Sequence, residues 1–452
     1  MNWASPPELI ARAESFLPPP EGTLGEQPDV VGRFRDLVAQ MLRSGQNLHH
    51  PRYLGHQVPA SVPIAALFDA VGAVTNQVMA VFEMGPWATA VEFALLNRLC
   101  RFVGWDSEQA GGLLTHGGSL ANLTALLTAR NVTFPDCWES GVPTDAVLVA
   151  HSDAHYSVTR SAGVLGLGTR QVVSTAIDDR RRMDPESLDR LLAKLAREGR
   201  RVMAVTACAC ATPIGAFDPL DDVADVCQRH RVWLHVDAAH GGAVLMSRRH
   251  RHLLTGLERA DSVVWDAHKM LFVPALCTAV LYRQQSHRFE TFRQNAPYLF
   301  DPSAPGMAAF DSGTATMECT KRATGFGLWG LWSLLGEPLF EAMVDRVFEL
   351  AATLHGMLND AEDFETLHVP ECNIVAFRHL PAAVRNAAPA TIDTFQRQLR
   401  TSLIQSGAFY IVQTQLDGKA ALRACVMNPT TTEDDLSALL DAIRHEGKSL
   451  TS

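Results

Sequence analysis

Short apolar segments alternate with helical segments between residues 145 and 283, and this alternation constrains the fold more than any other feature of the sequence. The apolar segments read DAVLVA, RQVVST, RVMAVTACA, RVWLHVDAA, DSVVWDA and CTAVLYR. Between them lie segments such as PESLDRLLAKLAREG and LDDVADVCQRH. Strands that are apolar throughout and joined by crossover helices are typical of a mostly parallel sheet covered on both faces. The sequence therefore predicts an α/β domain.

The regions on either side of this alternation have different patterns. An arm that contains LPPPEG precedes it, and a long helical segment, two strand candidates (NIVAFRH and ALRACVMN) and a last helix follow it. We therefore predict an N-terminal arm over residues 1–63, a large α/β domain over 64–325 and a small α+β C-terminal domain over 326–452.

Composition and signals limit the class of partner and the compartment. The chain has 452 residues, 47% of them hydrophobic, and a formal net charge of −10 without runs of like charge. This composition favours a small-molecule partner over nucleic acid or a membrane surface. The N-terminus lacks the pattern of a signal peptide, and no apolar stretch reaches the roughly 20 residues of a membrane helix. Nine scattered cysteines, an odd number, predict reduced thiols in the cytoplasm.

Four features lie where predicted strands end, which is where ligands bind in parallel sheets. They are Gly117-Gly118-Ser119 before a helix, His155 after DAVLVA, Asp237 after RVWLHV, and Lys269 in DAHKM. Each has an ordinary explanation, because Gly-Gly-Ser also begins common helices, a single histidine is more often structural, and a lysine can extend its amine to water.

Taken together, the four features match the needs of pyridoxal phosphate. The helix start at Gly118 and Ser119 would hold the phosphate, and Lys269 would form the Schiff base. Asp237 would pair with the pyridine nitrogen, with Ala239 and His155 on the two faces of the ring. We also expect burial to lower the pKa of Lys269, which would make a neutral amine available.

The sequence resembles the group II pyridoxal-phosphate decarboxylases, which include aromatic-amino-acid, glutamate, cysteine-sulfinate and 2,4-diaminobutyrate decarboxylases. The resemblance covers most of the chain through HPRYLGHQVP, GGSLANLTAL, SDAHYSVTR, GAFDPLDDVADVCQRHRVWLHVDAAHGG, ADSVVWDAHKM and CVMNPTTTEDDL. It implies an aminotransferase-like (fold type I) large domain with a mostly parallel seven-stranded sheet that binds the cofactor. It also implies a homodimer with active sites at the interface, in which the arm serves for dimerisation.

The resemblance assigns site residues by position. Lys269 and His155 are the implied catalytic residues. The implied cofactor-binding residues are Gly118, Ser119, His155, Thr212, Asp237, Ala239, Asp266, His268 and Lys269. No metal is implied.

Four positions depart from the family pattern. Cys210-Ala211-Thr212 replaces Gly-Thr-Thr, and Asp266-Ala267 replaces Asn-Pro before His268. His56 replaces a glutamine near the substrate and is a candidate substrate residue. The loop position that usually carries a catalytic tyrosine falls at Gly306, and no tyrosine lies between residues 298 and 410.

The leading hypothesis is decarboxylation of an L-amino acid to an amine and carbon dioxide, through the Lys269 internal aldimine and a quinonoid that His155, His268, water or Lys269 would protonate. Because the loop tyrosine is absent, oxidative deamination to an aldehyde and a non-decarboxylating lyase reaction stay open. A non-enzymatic partner subunit is disfavoured because the cofactor residues are all present. A metal enzyme built on His49, His50 and His56 is disfavoured because their spacing matches no common ligand motif. Lys321 and Arg322, at an expected helix start, either bind a substrate carboxylate or have a structural or interfacial role.

Overall fold

The computed structural model describes residues 4–17, 29–292 and 309–451. Its helices are α1 (Pro6–Glu14), α2 (Val30–Ser44), α3 (Pro63–Val74), α4 (Pro86–Val103), α5 (Gly118–Thr133), α6 (Cys137–Ser140), α7 (Tyr156–Val164), α8 (Pro185–Arg197), α9 (Leu220–His230), α10 (Phe326–Asn359), α11 (Ala382–Arg385), α12 (Pro389–Gln405) and α13 (Glu433–Thr451). Its strands are β1 (Val78–Met79), β2 (Gly111–Thr115), β3 (Ala146–His151), β4 (Val172–Thr175), β5 (Arg201–Cys208), β6 (Trp233–Asp237), β7 (Ser262–Asp266), β8 (Thr278–Tyr282), β9 (Lys321–Arg322), β10 (Phe364–Thr366), β11 (Ile374–His379), β12 (Val412–Leu416) and β13 (Lys419–Cys425). No helix within these ranges is both long enough and apolar enough to cross a membrane.

The chain divides into two compact units. The sheet unit comprises the described residues within Gln57–Ala352 and His368–Ile374. The terminal unit comprises those within Met1–His56, Thr353–Leu367 and Val375–Ser452. The predicted division at residues 63 and 325 stays a prediction.

The sheet unit is built on a seven-stranded sheet with the order β2-β8-β7-β6-β5-β3-β4. Strand β8 runs antiparallel to both of its neighbours, and the other neighbouring pairs are parallel. The predicted mostly parallel sheet is therefore confirmed. The register places Cys208 beside Asp237 and Asp237 beside Val264, so the carboxyl ends of β5, β6 and β7 meet at one edge.

Helix α5 packs closely on this sheet. It contacts β5, β6, β7 and β8, and its Ala121, Ala125 and Ala129 are completely buried. Because alanine side chains are short, the helix axis can approach the strands closely. The first residue of α5, Gly118, consequently lies beside the end of β7: a Cβ atom added to it would be 3.0 Å from Oδ2 of Asp266.

The terminal unit is built on a four-stranded sheet with the order β10-β11-β13-β12. Its outer pairs, β10 with β11 and β12 with β13, are antiparallel. Helix α12 packs on β13 and on α13. Ahead of these elements in the chain, the ring of Tyr53 stacks on Tyr410 with centroids 5.0 Å apart.

A buried ion pair joins α4 to β9 in the sheet unit. The amine Nζ of Lys321 lies 2.7 Å from both carboxylate oxygens of Glu92 and donates to the carbonyl oxygen of Leu114 at 2.7 Å. The two side chains are 2% and 5% exposed. All three protons of the amine therefore have protein acceptors, which supports the structural alternative for Lys321.

Replacing Lys321 by methionine leaves the Glu92 carboxylate buried without its cation. We expect Lys321→Met to lower the free energy of unfolding by about 3–5 kcal/mol, measured by urea denaturation. The double variant Lys321→Met/Glu92→Gln removes both charges and keeps an acceptor for the Leu114 N–H group, so it should recover most of that loss. A Lys321→Met enzyme with unchanged stability but no activity would instead indicate a substrate role.

Candidate active site

A cavity of about 190 Å³ opens at the carboxyl ends of the parallel strands in the sheet unit. Of the residues predicted for the cofactor, those that line it are Gly118, Ser119, His155, Thr212, Asp237, Ala239, Asp266 and Lys269. Asn122, Cys208, Cys210, Ala211 and His240 complete its walls. His268 is not among the residues that line it; its Nε2 lies 3.6 Å from Oδ2 of Asp266, and its Nδ1 lies 3.0 Å from the carbonyl oxygen of Cys277. The structure thus brings together residues that are up to 151 positions apart, from Gly118 to Lys269.

Lys269 reaches the cavity from the turn that follows β7. Its amine Nζ lies 3.1 Å from Oδ2 of Asp266, the last residue of that strand. The hydroxyl of Thr278 donates to the other oxygen, Oδ1, at 2.6 Å. Asp266 is therefore fixed by a neighbouring strand, and it in turn positions the amine.

The pKa of Lys269 is raised, whereas the sequence predicted that it would be lowered. Burial favours the neutral amine, but the negative charges of Asp266 and Asp237 outweigh it and raise the pKa above its usual value. The prediction of a lowered pKa was therefore wrong for the chain without a ligand. Burial was anticipated correctly; the effect of two nearby carboxylates was not.

Asn122, on α5, connects Asp237 to His155. Its amide nitrogen donates to Oδ2 of Asp237 at 2.7 Å and to the hydroxyl of Ser157 at 2.9 Å. That hydroxyl lies 2.8 Å from Nδ1 of His155, which also accepts the N–H group of Ser157 at 3.3 Å. His155 thus carries its ring proton on Nε2 when neutral, and burial lowers its pKa, which favours that neutral form.

A second histidine fixes the orientation of the Asn122 amide. Nε2 of His235 lies 3.0 Å from Oδ1 of Asn122, and Nδ1 of His235 lies 2.8 Å from the hydroxyl of Ser262. Burial lowers the pKa of His235 to about 4, so the ring is neutral near pH 7. Because the amide nitrogen of Asn122 donates to Asp237, its amide oxygen faces His235 and accepts from Nε2 of the neutral ring, so the two partners together fix the amide.

The N-terminus of α5 is suited to bind an anion. The helix begins at Gly118, after Gly117 with a φ of +105°, and Ser119 adds a hydroxyl in the first turn. Unpaired N–H groups and the positive end of the helix dipole favour a phosphate at such a position. A lysine amine, a carboxylate and a helix N-terminus that face one cavity are the groups that pyridoxal phosphate needs.

Comparison with known proteins identifies the family. The profile described as the pyridoxal-dependent decarboxylase conserved domain matches residues 22–380. The chain belongs to this family. The cysteine sulfinic acid decarboxylase of Mus musculus is 33% identical over 460 residues, which cover 99% of this chain and 91% of the relative. The acidic amino acid decarboxylase of Bos taurus is 32% identical over 421 residues, covering 91% and 80%.

A solved structure supports the same assignment. The crystal structure of mouse CSAD superimposes with a TM-score of 0.90 at 31% identity, covering 98% of this chain and 92% of that one. The protein is therefore a pyridoxal-phosphate-dependent carboxy-lyase that decarboxylates an amino acid, on an aminotransferase-like fold. These relatives favour decarboxylation over the oxidative and non-decarboxylating alternatives.

Two predictions concern other parts of the chain. Gly306, the position of the missing loop tyrosine, lies outside the described residues. His56 belongs to the terminal unit, where its Nε2 lies 3.4 Å from the hydroxyl of Tyr410. Burial, together with the charges of Arg423 and Arg400, lowers the pKa of His56. His56 stays a predicted substrate residue.

The histidines considered for a metal site, His49, His50 and His56, form no ligand group in the part of the chain that the structure describes. A group with ligand atoms within 4.8 Å of one another consists of His151, Cys208 and Asp218. The carboxylate of Asp218 already accepts the N–H groups of Met183 at 2.7 Å and Cys208 at 2.6 Å. This group is explained by its structural role of joining β5 to the loops beside it.

Sequence reasoning missed two residues that the structure makes prominent. Asn122 lies one helical turn after Ser119, a spacing that places both near the same end of α5, but its partners are 35 and 115 positions away. Arg423, on β13, is 5% exposed, and its Nε and Nη2 atoms have no hydrogen-bond partner among the described residues. The one sequence signal for Arg423 was that an arginine stands within a predicted strand that is otherwise largely apolar.

Removing the Asn122 amide should weaken cofactor binding, because Asp237 loses a charge-assisted hydrogen bond and His155 loses its indirect support. We expect Asn122→Ala to lower the affinity for pyridoxal phosphate roughly 10- to 100-fold, since a hydrogen bond to a charged group contributes about 1.5–3 kcal/mol. Titration of apoenzyme with the cofactor, followed by absorbance, measures this change.

Asn131→Ala is the matched control for this experiment. Asn131 lies on the same helix and is fully buried, but its amide donates to the carbonyl oxygens of Glu290 and Thr291. It should lose stability without losing cofactor affinity. Equal losses of affinity in the two variants would contradict the role assigned to Asn122.

Proposed function

We propose that this enzyme decarboxylates an acidic L-amino acid, with Lys269 as the residue that holds the cofactor. One observation carries the proposal: Lys269, Asp266, Asp237 and His155 face a single cavity beside the N-terminus of α5. The curated relatives named for cysteine sulfinic acid and for acidic amino acids support the substrate class.

Each residue has a defined task in this proposal. Gly118 and Ser119 bind the phosphate, Asp237 pairs with the ring nitrogen, and Ala239 and His155 pack on the two faces of the ring. Thr212 and His268 complete the cofactor contacts. Pyridoxal phosphate supplies an aldehyde that bonds to amines and a ring that accepts the electrons released with carbon dioxide. Asn122 keeps the Asp237 carboxylate in place through its amide nitrogen.

The tautomer of the neutral His155 ring is defined by its hydrogen bonds. Since Nδ1 accepts the N–H group of Ser157, the proton of the neutral ring is on Nε2. Return of a proton to the product carbon through His155 would need its protonated form, which burial disfavours by lowering its pKa, so His268, water and Lys269 stay candidates beside it.

Positive charge surrounds the predicted substrate residue His56 within the terminal unit. Arg423 is buried, and its Nε and Nη2 atoms lack partners among the described residues. A buried cation of this kind costs several kcal/mol unless an anion faces it. The charges of Arg423 and Arg400 both act on His56, the predicted substrate residue. A carboxylate or sulfinate group is a suitable partner for this cluster.

The proposal includes a cytoplasmic homodimer. Large apolar side chains are exposed on α3 and α10 of the sheet unit, among them Leu67, Val71, Leu334 and Leu335. Exposed apolar surface of this kind favours association with a second copy. None of the nine cysteines forms a disulfide bond, which fits a reducing compartment.

A substrate panel tests the reaction and the substrate class together. Holoenzyme is incubated with L-aspartate, L-glutamate and L-cysteine sulfinate, and in parallel with L-lysine and L-tryptophan. We expect carbon dioxide and amine in equal amounts from at least one acidic substrate, without oxygen consumption. Turnover of only basic or aromatic substrates would overturn the substrate class, and oxygen uptake with aldehyde formation would overturn simple decarboxylation.

Lys269→Ala tests the residue that holds the cofactor. This variant should lose both activity and the visible absorbance band of the bound cofactor, because the amine is the only group assigned to hold it covalently. Lys194→Ala, at an exposed position on α8, should retain both. Retention of the band in Lys269→Ala would contradict the assignment.

Weakening the cationic cluster should affect substrate binding more than the cofactor. We expect Arg423→Lys and His56→Gln to raise KM for the acidic substrate, by about tenfold or more for Arg423→Lys because lysine cannot replace a planar, two-point contact. The cofactor absorbance should not change. Arg397→Gln, on the exposed face of α12, is the control. An unchanged KM in both cluster variants would remove them from the substrate site.

A further inference from the structure

Three consecutive residues, Glu371 to Asn373, each form a hydrogen bond with a residue in or near the wall of the cofactor cavity. A carboxylate oxygen of Glu371 accepts the N–H group of Phe217 at 3.1 Å. The thiol of Cys210 donates to Sγ of Cys372, with the two sulfurs 3.3 Å apart. Nε2 of His240 lies 2.8 Å from Oδ1 of Asn373. Because Cys210 and His240 line the cavity, this segment supports its wall from behind.

The two thiols face each other in a closely fitted place. Cys210 and Cys372 are 5% and 2% exposed. A Cβ atom added to Gly215 would be 1.9 Å from Sγ of Cys372, so the absence of a side chain at Gly215 makes room for that thiol. A disulfide needs the sulfurs about 2.0 Å apart, so they must approach by only about 1.3 Å.

Cys210 also occupies an unusual backbone position. Its φ is +77°, in the left-handed region that favours glycine. A cysteine at this position brings strain that the surrounding structure must compensate. The side chain nevertheless points a thiol at Cys372 from a residue that adjoins Ala211 and Thr212 of the cavity wall.

We propose that Cys210 and Cys372 are a modification site at which a peroxide forms a disulfide in the cofactor-free enzyme, and that this disulfide lowers the affinity for pyridoxal phosphate. The inference deepens the proposed function, since it rests on the same cavity. A bound cofactor covers the cavity from which a small oxidant reaches Cys210. Formation of the bond draws Cys210 toward Cys372 and moves the adjoining Ala211 and Thr212.

The reaction balances with peroxide as the only co-reactant. The sulfur of one thiol attacks a peroxide oxygen, the O–O bond breaks, one water leaves, and a sulfenic acid remains. The sulfur of the second thiol then attacks that sulfur, the S–S bond forms, and a second water leaves. The two thiols supply two electrons and two protons, which reduce one peroxide to two waters.

Two other cysteines, Cys208 and Cys319, can be distinguished from this pair by their reactivity and exposure. Cys208 also lines the cavity, but burial raises its pKa to about 11, which suppresses the thiolate that reacts with peroxide. Cys319 is exposed and would be oxidised independently. The experiment therefore uses a Cys319→Ser background.

The test compares apoenzyme and holoenzyme treated with hydrogen peroxide. Remaining thiols are alkylated, and a non-reducing peptide map is read by mass spectrometry. We expect a peptide pair joined through Cys210 and Cys372, lighter by two hydrogens than the reduced pair, that forms several-fold faster in apoenzyme. Titration of the oxidised apoenzyme should show a lower affinity for pyridoxal phosphate, which dithiothreitol restores.

Variants test disulfide formation and its effect on cofactor affinity separately. Cys372→Ser and Cys372→Ala should give neither the joined peptide nor the loss of affinity, and thermal melting verifies that they are folded. Cys227→Ser, a buried cysteine on α9, should behave as the background does. No joined peptide, equal rates in apoenzyme and holoenzyme, or a joined peptide with unchanged affinity would each overturn the proposal. Failure of the acidic-substrate assignment changes none of these readouts, so the two proposals fail separately.

Discussion

A lysine amine and two carboxylates face one cavity. The rest of the site is arranged so that these charged groups are stable although they are largely buried. Lys269 is paired with Asp266 at 3.1 Å, and Asp237 is held by the amide of Asn122 at 2.7 Å. Buried charges persist only when each is paired or hydrogen-bonded. The parallel strands supply this arrangement, because the ends of β6 and β7 are neighbours in the sheet and each ends in an aspartate.

The same constraint explains the polar network behind the cavity. Asp237 needs a donor that does not itself carry a charge, and the amide of Asn122 is one. That amide needs a fixed orientation, which the neutral ring of His235 provides through Nε2. The hydroxyl of Ser262 and the indole of Trp233, which donates to that hydroxyl at 2.9 Å, complete the set. A chain of neutral groups thus fixes a charged one without adding a competing charge.

Much of the fold and part of the site can be predicted from the sequence because the signals lie within short segments of the chain. Apolar strands followed by helices identify the parallel sheet, and Asp237 and Lys269 stand at strand ends that the pattern itself marks. Asn122 could not be found in this way, because an asparagine inside a helix acquires meaning only from Asp237, 115 residues later. Arg423 is similar: its strand was predicted, but the absence of partners for its Nε and Nη2 atoms among the described residues is a property of the folded chain. The direction of the Lys269 pKa was wrong because sequence indicates burial better than it indicates how many carboxylates face a buried group.

That raised pKa has a consequence for how the site receives its cofactor. In the chain alone the amine of Lys269 is protonated and paired, yet bonding to an aldehyde requires the neutral amine. The proton therefore has to leave, and the nearest base is Oδ2 of Asp266, 3.1 Å away. The other oxygen of Asp266 already accepts a hydrogen bond from the hydroxyl of Thr278 at 2.6 Å. Loss of the proton is thus opposed by the pair that holds the amine in place. A cofactor held with its phosphate at α5 and its ring nitrogen at Asp237 would remove only the part of the pKa increase that comes from Asp237, and the contribution of Asp266 would remain.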